Sequence, residues 1–274
     1  MARTDLSTRL LSAGLLAPLL LLLLFRGSPD AWYWLVLAAT ALATLELAAM
    51  THPGDRVAQA ACTLTSVGVS WVVYHHDQNP RALLGLLLVL PVLGLLLALW
   101  RLTDLPSAAL RAMSGVATPL YIGGLLGSLA LLRRDAGELG PFYVLLVLKL
   151  SWLPDTGGFF AGRYLGKNSK PLAPRVSPKK TQIGFVGSLV GATIGVLIAK
   201  FWYLREVPLL ELLLLGLVAG TLGQLGDLAE SMIKRSAGIK DSGHLIPGHG
   251  GLLDRIDALL IVSPVLYLYA VCWR

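Results

Sequence analysis

The sequence predicts an all-α integral membrane protein, a polytopic helical bundle of about nine transmembrane helices with its N-terminus in the cytoplasm. Three observations predict it. Of the 274 residues, 55% are hydrophobic and only 14% are charged, where a soluble domain carries about 25% charged residues. Mean hydropathy is +0.69. Apolar runs near the ~20 residues that cross a bilayer as a helix follow one another along the whole chain, and no polar stretch is long enough for a separate soluble domain.

Nine segments are expected to span: 10–25, 31–50, 57–74, 82–100, 115–132, 141–160, 184–203, 207–226 and 252–272. The first follows Arg3 and Arg9 and looks like a signal peptide. The RGSPDA that follows it offers no A-x-A cleavage site, so it is read as a retained span. The sixth carries Lys149 and Asp155 inside an apolar run. Lys149 is expected to be a buried partner of an acid such as Glu46 or Asp155. With nine spans and the N-terminus inside, segments 1–9, 51–56, 101–114, 161–183 and 227–251, with Arg255, hold 15 of the 23 basic residues. The bias of Lys and Arg toward inner loops therefore puts the N-terminus and both long polar loops in the cytoplasm. It also explains the net charge of +7 without nucleic acid. Cys62 and Cys272 lie in apolar runs and read as small lipid- or core-facing hydrophobes. His75 and His76 read as solvated outer-loop residues.

The chain reads as one membrane domain, 1–274, with an N-terminal span region (1–140) and a catalytic half (141–274) whose cytosolic loops are 161–183 and 227–251. Residues 227–257, DLAESMIKRSAGIKDSGHLIPGHGGLLDRID, concentrate nine ionisable side chains in a chain that is otherwise mostly Leu, Ala and Val. Charge is costly near a bilayer, so such a cluster marks a functional site by default. Asp227, Glu230, Asp241, Asp254 and Asp257 alternate with Lys234, Arg235, Lys240 and Arg255. Carboxylates suit a divalent cation and bases suit phosphates. Span six reaches Asp155 near its inner end, span eight delivers Asp227 at its last turn, and span nine starts with Asp254 and Asp257. Three helices thus bring carboxylates to the inner headgroup level.

Asp227 and Glu230 share a helical face with Lys234, and Asp254 shares one with Asp257. Asp227 and Asp254 are the expected ligands of Mg²⁺, which takes one or two carboxylates plus substrate phosphates. For Asp254 the alternative is simple capping of a helix N-terminus. Pro247, Gly248, His249, Gly250 and Gly251 precede span nine, and the glycines are expected to leave free N–H groups for an anion at the helix start. His249 reads either as a phosphate contact or as a loop cap. In the other loop, Ser177-Pro178 is expected to turn the chain and present Lys179, Lys180 and Thr181 to a polyphosphate.

The stretch SMIKRSAGIKDSGHLIPGHGGLLDRID resembles the signature of the phosphatidate cytidylyltransferases, the CDP-diacylglycerol synthases. The elements K-R, K-D-S-G, P-G-H-G-G and D-R-x-D all stand between Ser231 and Asp257. DTGGFFAGRYLGK, which holds Arg163, and SPKKT, which starts at Ser177, resemble the family's upstream motifs. The likeness covers 151–257. Ile183 stands where the family usually has a polar residue, and Phe159 replaces a frequent Tyr, so neither is given a role. The family varies at Lys179.

The resemblance implies that CTP and phosphatidic acid give CDP-diacylglycerol and pyrophosphate. It also implies Mg²⁺ held by Asp227 and Asp254, a monovalent cation such as K⁺ nearby, and a possible homodimer. The short chain without a cytosolic extension is expected to be bacterial and in the inner membrane, and the charge bias turns the site to the cytoplasm. Lys180, Lys234, Arg235 and Arg255 would hold phosphates, and Lys240 and Asp241 would order the loop or the nucleotide. The alternatives are a CTP-dependent lipid or prenol kinase and, in a different class, a membrane transporter. A lipid alcohol-phosphatidyltransferase is disfavoured, because its spaced D-G…A-R…G…D…D pattern is absent.

Overall fold

A computed structural model describes residues 14, 17–243 and 250–274. The described chain is helical apart from one small hairpin. After α1 (Ala17–Arg26) come α2 (Pro29–Thr51), α3 (Arg56–His75), α4 (Pro80–Trp100) and α5 (Leu105–Asp135). Then follow α6 (Gly140–Tyr164), β1 (Pro171–Ala173), β2 (Ser177–Thr181), α7 (Gln182–Trp202), α8 (Leu209–Ser236) and α9 (Leu253–Trp273). Among the described residues, eight of these helices are long and apolar enough to cross a membrane, so the chain is a polytopic helical membrane protein. Of the expected first span, residues 17–25 are helical; most of the rest lies outside the described residues.

The starts are legible in local chemistry. Ser28, Asp55, Asn79, Asp104 and Thr181 each cap a helix by accepting a backbone N–H, and Pro29, Pro80 and Pro106 stand in first turns, where no N–H is needed. Three boundaries move far. α5 begins ten residues before the expected 115, because Asp104 caps it. α6 runs on to Tyr164, so Asp155 sits inside the helix. α8 runs on to Ser236, so Asp227 is more than two turns from its end rather than at its last turn. In each case a polar face lets the helix outrun its apolar stretch. The expected turn at Ser177-Pro178 is also corrected. The turn is Pro174–Val176, and Ser177–Thr181 is a strand antiparallel to Pro171–Ala173.

The chain divides into two compact units. The first joins the residues up to Leu131 with Asp241–Asp254. One end is pinned by Asp55. Arg101 Nε donates to both its carboxylate oxygens at 3.2 Å, Arg111 donates at 2.6 Å, and its Oδ1 caps Ala58. Hydrogen bonds from Arg101 and the arginines' charge outweigh burial and hold the Asp55 carboxyl down at about 2. In the same unit, Tyr33 stacks on Tyr74 at 4.0 Å, with His75 edge-on to both and 4.0 Å from Trp71. His75 is thus exposed but belongs to a helix end and an aromatic cluster, while His76 is simply exposed. Cys62 is buried and Cys272 exposed.

The second unit joins Leu132–Lys240 with Arg255–Arg274. Its centre is the pairing of α6 with α7. A Cβ at Gly157 would meet the Gly187 carbonyl, and one at Gly191 would meet the Leu153 carbonyl. Only glycine lets the backbones come this close, the small-residue packing that membrane helices favour. On α8, Gly216 and Gly220 face Val196 and Ala192 of α7, and Gly223 and Gly226 face Val262 and Ile261 of α9. Among the described residues, Lys149 pairs with no acid. Its ammonium lies over the rings of Trp202 and Tyr203, 5.1 and 4.7 Å from their centroids. Desolvated aromatic faces hold it instead.

Candidate active site

In the second unit, α6, the hairpin, α7 and α8 surround a cavity of about 460 Å³, within the ~300–1,000 Å³ usual for small-molecule clefts. Asp155, Arg163, Lys180, Thr181 and Asp227, all expected from the sequence, line it together. The α6–α7 glycine contact places Asp155 alongside α7, and Gly162 lies against Gly184 and Thr181 at the start of that helix. Thr181 Oγ1 caps that start by accepting from Gly184 N at 3.0 Å, and the strand Ser177–Thr181 carries Lys180 across to α8. There its ammonium pairs with Asp227 Oδ2.

Acids and bases are therefore mixed in one lining: Asp155 and Asp227 with Arg163, Lys179 and Lys180. Asp155 and Asp227 feel each other's charge, and Lys180 and Arg255 offset Asp155. Asp257, buried on α9, lies within electrostatic range of Asp227, Glu230 and Asp155. Glu230 is fully buried and pairs with Lys234 at 3.1 Å, one helical turn apart.

Gln224 and Phe159 also line the cavity and were not read as site residues. Gln224 donates to Asp155 Oδ1 at 2.9 Å and stands three residues before Asp227 on α8. A polar residue at that spacing in an apolar helix was a readable signal. Lys179 lines the cavity despite the variation expected there, and so does Phe159, whose ring lies 5.8 Å from the Arg163 guanidinium carbon.

Other expected residues lie elsewhere in the unit. Lys234 is buried against Glu230 rather than facing solvent. Arg235 donates to the Val176 carbonyl at 3.4 Å and the Ile239 carbonyl at 3.0 Å, tying the hairpin turn to the end of α8. Ser231 Oγ is 3.5 Å from Asp227 Oδ1. Ser177 is half-buried in β2, and Lys240 and Arg255 are exposed.

Asp241 and Asp254 belong to the first unit. Asp241 is exposed. Asp254 Oδ2 accepts from Ser242 N at 2.9 Å and Gly251 N at 3.1 Å. Glu46 of α2 accepts from Ser242 Oγ at 2.9 Å, Leu252 N at 2.9 Å and Leu253 N at 2.8 Å. Among the described residues at the start of α9, the N–H groups of Gly251, Leu252 and Leu253 are thus taken by the protein's own carboxylates. Gly250, next to them, has φ +83°, where a side chain is strained. Pro247, Gly248 and His249 lie outside the described residues.

Among the described residues, no three or more His, Cys, Asp or Glu side chains form a ready cation cage. The donors that line the cavity together are hard carboxylate oxygens on Asp155 and Asp227. They fit an ion whose remaining ligands come from substrate phosphates.

The chain is 42% identical over 134 residues to a phosphatidate cytidylyltransferase of Bacillus subtilis, covering 49% of each chain. It is 43% identical over 127 residues to one of Staphylococcus saprophyticus, covering 46% of this chain and 48% of that one. It is 42% identical over 156 residues to one of Brucella melitensis, covering 54% of each. The matched region thus spans about half the length of these relatives. The family model described as the cytidylyltransferase family matches residues 7–273, nearly the whole sequence, and the chain belongs to that family.

Proposed function

We propose that this chain transfers CMP from CTP to the phosphate of phosphatidic acid, giving CDP-diacylglycerol and pyrophosphate. The observation that carries the reading is the cavity in which Asp155 and Asp227 face Lys179, Lys180 and Arg163. Carboxylates for a cation and bases for a polyphosphate share one pocket, in a chain whose relatives are named for this reaction.

The lipid phosphate is already an anion, so its oxygen needs no strong base. It attacks the α-phosphorus of CTP, a new P–O bond forms, and the bond to the β-phosphate oxygen breaks with its electron pair leaving on pyrophosphate. The obstacle is repulsion between two anions, and positioned positive charge removes it. Lys180, now neutralising Asp227, lines the cavity together with Arg163 and Lys179. Gln224 fixes the Asp155 carboxylate. Asp227 and Asp254 would hold Mg²⁺, which when bound supplies charge neutralisation to the phosphates. The whole chain acts as one catalytic membrane domain, with residues 141–274 supplying most of the cavity's chemistry. The positive-inside bias puts the site on the cytoplasmic side of a bacterial inner membrane.

Pyrophosphate release with CTP, vesicles containing phosphatidic acid and Mg²⁺, against ATP and GTP controls, tests the reading. CTP-specific release with a cytidine-containing lipid product supports it. A product that is a simple phosphorylated lipid without cytidine overturns it.

A further inference from the structure

We propose that Glu46 is a positioning residue for Asp254, the carboxylate proposed above as a cation ligand, acting through Ser242; the role rests on the function proposed above. Glu46 lies in a membrane-spanning helix, five residues before the end of α2. An ionisable residue there is costly, yet no motif of the sequence includes it. Its two oxygens take three donors at 2.8–2.9 Å: Ser242 Oγ on one side of residues 244–249, and Leu252 N and Leu253 N on the other. One carboxylate thereby ties together both flanks of the stretch that carries the densest part of the motif.

The neighbours are shaped to admit it. A Cβ at Gly243 would stand 2.6 Å from Glu46 Oε1, and one at Gly251 would stand 2.6 Å from Glu46 Oε2 and also collide with Ser242 Oγ. The glycines of K-D-S-G and G-G therefore have a local reason in this chain: both Gly243 and Gly251 make room for Glu46. The chain of contacts continues to the proposed cation ligand. Ser242, held by its hydroxyl, donates its N–H to Asp254 Oδ2, and Gly251 N–H donates to the same oxygen. Glu46 thus sets the direction of the Asp254 carboxylate without touching substrate.

The test compares the purified full chain with Glu46→Gln and Ser242→Ala in vesicles, reading kcat, KM for CTP and the Mg²⁺ concentration giving half-maximal rate. It also reads the rate of trypsin cleavage after Lys240 in Mg²⁺-free buffer. Gln keeps the shape but cannot accept all three donors. The expected result for Glu46→Gln is a loss of about tenfold or more in kcat/KM, the scale of a hydrogen bond to a charged group. The half-maximal Mg²⁺ concentration rises, and trypsin cuts faster after Lys240. Ser242→Ala is expected to move the same quantities less, and the double variant to be no worse than Glu46→Gln alone. Wild-type kinetics and wild-type cleavage in Glu46→Gln overturn the proposal. So does a loss of folded protein in Glu46→Gln together with unchanged Mg²⁺ dependence in Ser242→Ala. If the wild type releases no pyrophosphate from CTP, the proposed reaction falls and Glu46's role in it falls too, whereas the cleavage rate still decides whether Glu46 holds the flanks.

Discussion

Asp227 and Lys180 neutralise each other across 47 residues of sequence, and the site's behaviour follows from that exchange of charge. Asp227→Asn is expected to lower turnover by at least ~100-fold, a transition-state loss of about 3 kcal/mol. Helical content by circular dichroism should stay unchanged. Retained activity in a folded Asp227→Asn protein would remove Asp227 from the reaction. The exposed His76 serves as the control, and His76→Ala is expected to keep wild-type kinetics. Asp55 makes a pH prediction. Its carboxyl is depressed in the folded state by the arginines beside it, so its contribution is complete above the unfolded value near 4 and is lost as pH falls through about 2. Thermal melts should show Asp55→Asn flattening the acid limb between these values; an unchanged limb would refute the assignment. At this scale the sequence revealed residue types and short spacings well. Asp155, Arg163, Lys180, Thr181 and Asp227 do share a cavity. It could not reveal the partners of Glu46, which lie 196 to 207 residues away. Nor could it show that Lys149 meets aromatic faces rather than an acid.

Helices were legible wherever they are apolar, and their ends were legible where a cap or proline marks them. The ends were misjudged where an amphipathic stretch continues the helix, as in α8 from Asp227 to Ser236. Hydropathy registers lipid contact and is blind to a helix that leaves the apolar layer. The hairpin was missed because five residues, SPKKT, carry too little alternation to signal a strand. The α6–α7 contact makes the element-scale prediction. Gly191→Val drives a branched side chain against the Leu153 carbonyl, and overpacking of this kind costs about 1–3 kcal/mol. The variant should lose several degrees of thermal stability in detergent. Gly85→Val, where nothing lies within 4 Å of the added Cβ, should lose far less. Equal melting of the two variants would mean that the helices do not depend on that close approach.

Orientation belongs to the whole molecule. The charge bias predicts that cysteines placed at Lys170 and Lys240, in a Cys62→Ala, Cys272→Ala background, react with an impermeant maleimide only from the cytoplasmic side. One placed at His76 should react only from the other side. Labelling of Lys170→Cys and His76→Cys from one side would overturn the topology. The family signature is itself divided between the two units: residues up to Lys240 go with one, and Asp241–Asp254 with the other. Because Glu46 binds that second portion, the early helices are no generic anchor. A chimera that takes residues 1–131 from a distant homologue while keeping the native 241–254 would mismatch donor and acceptor. Moving both pieces together would restore the match. Viable recombination breakpoints in this gene should therefore come in pairs.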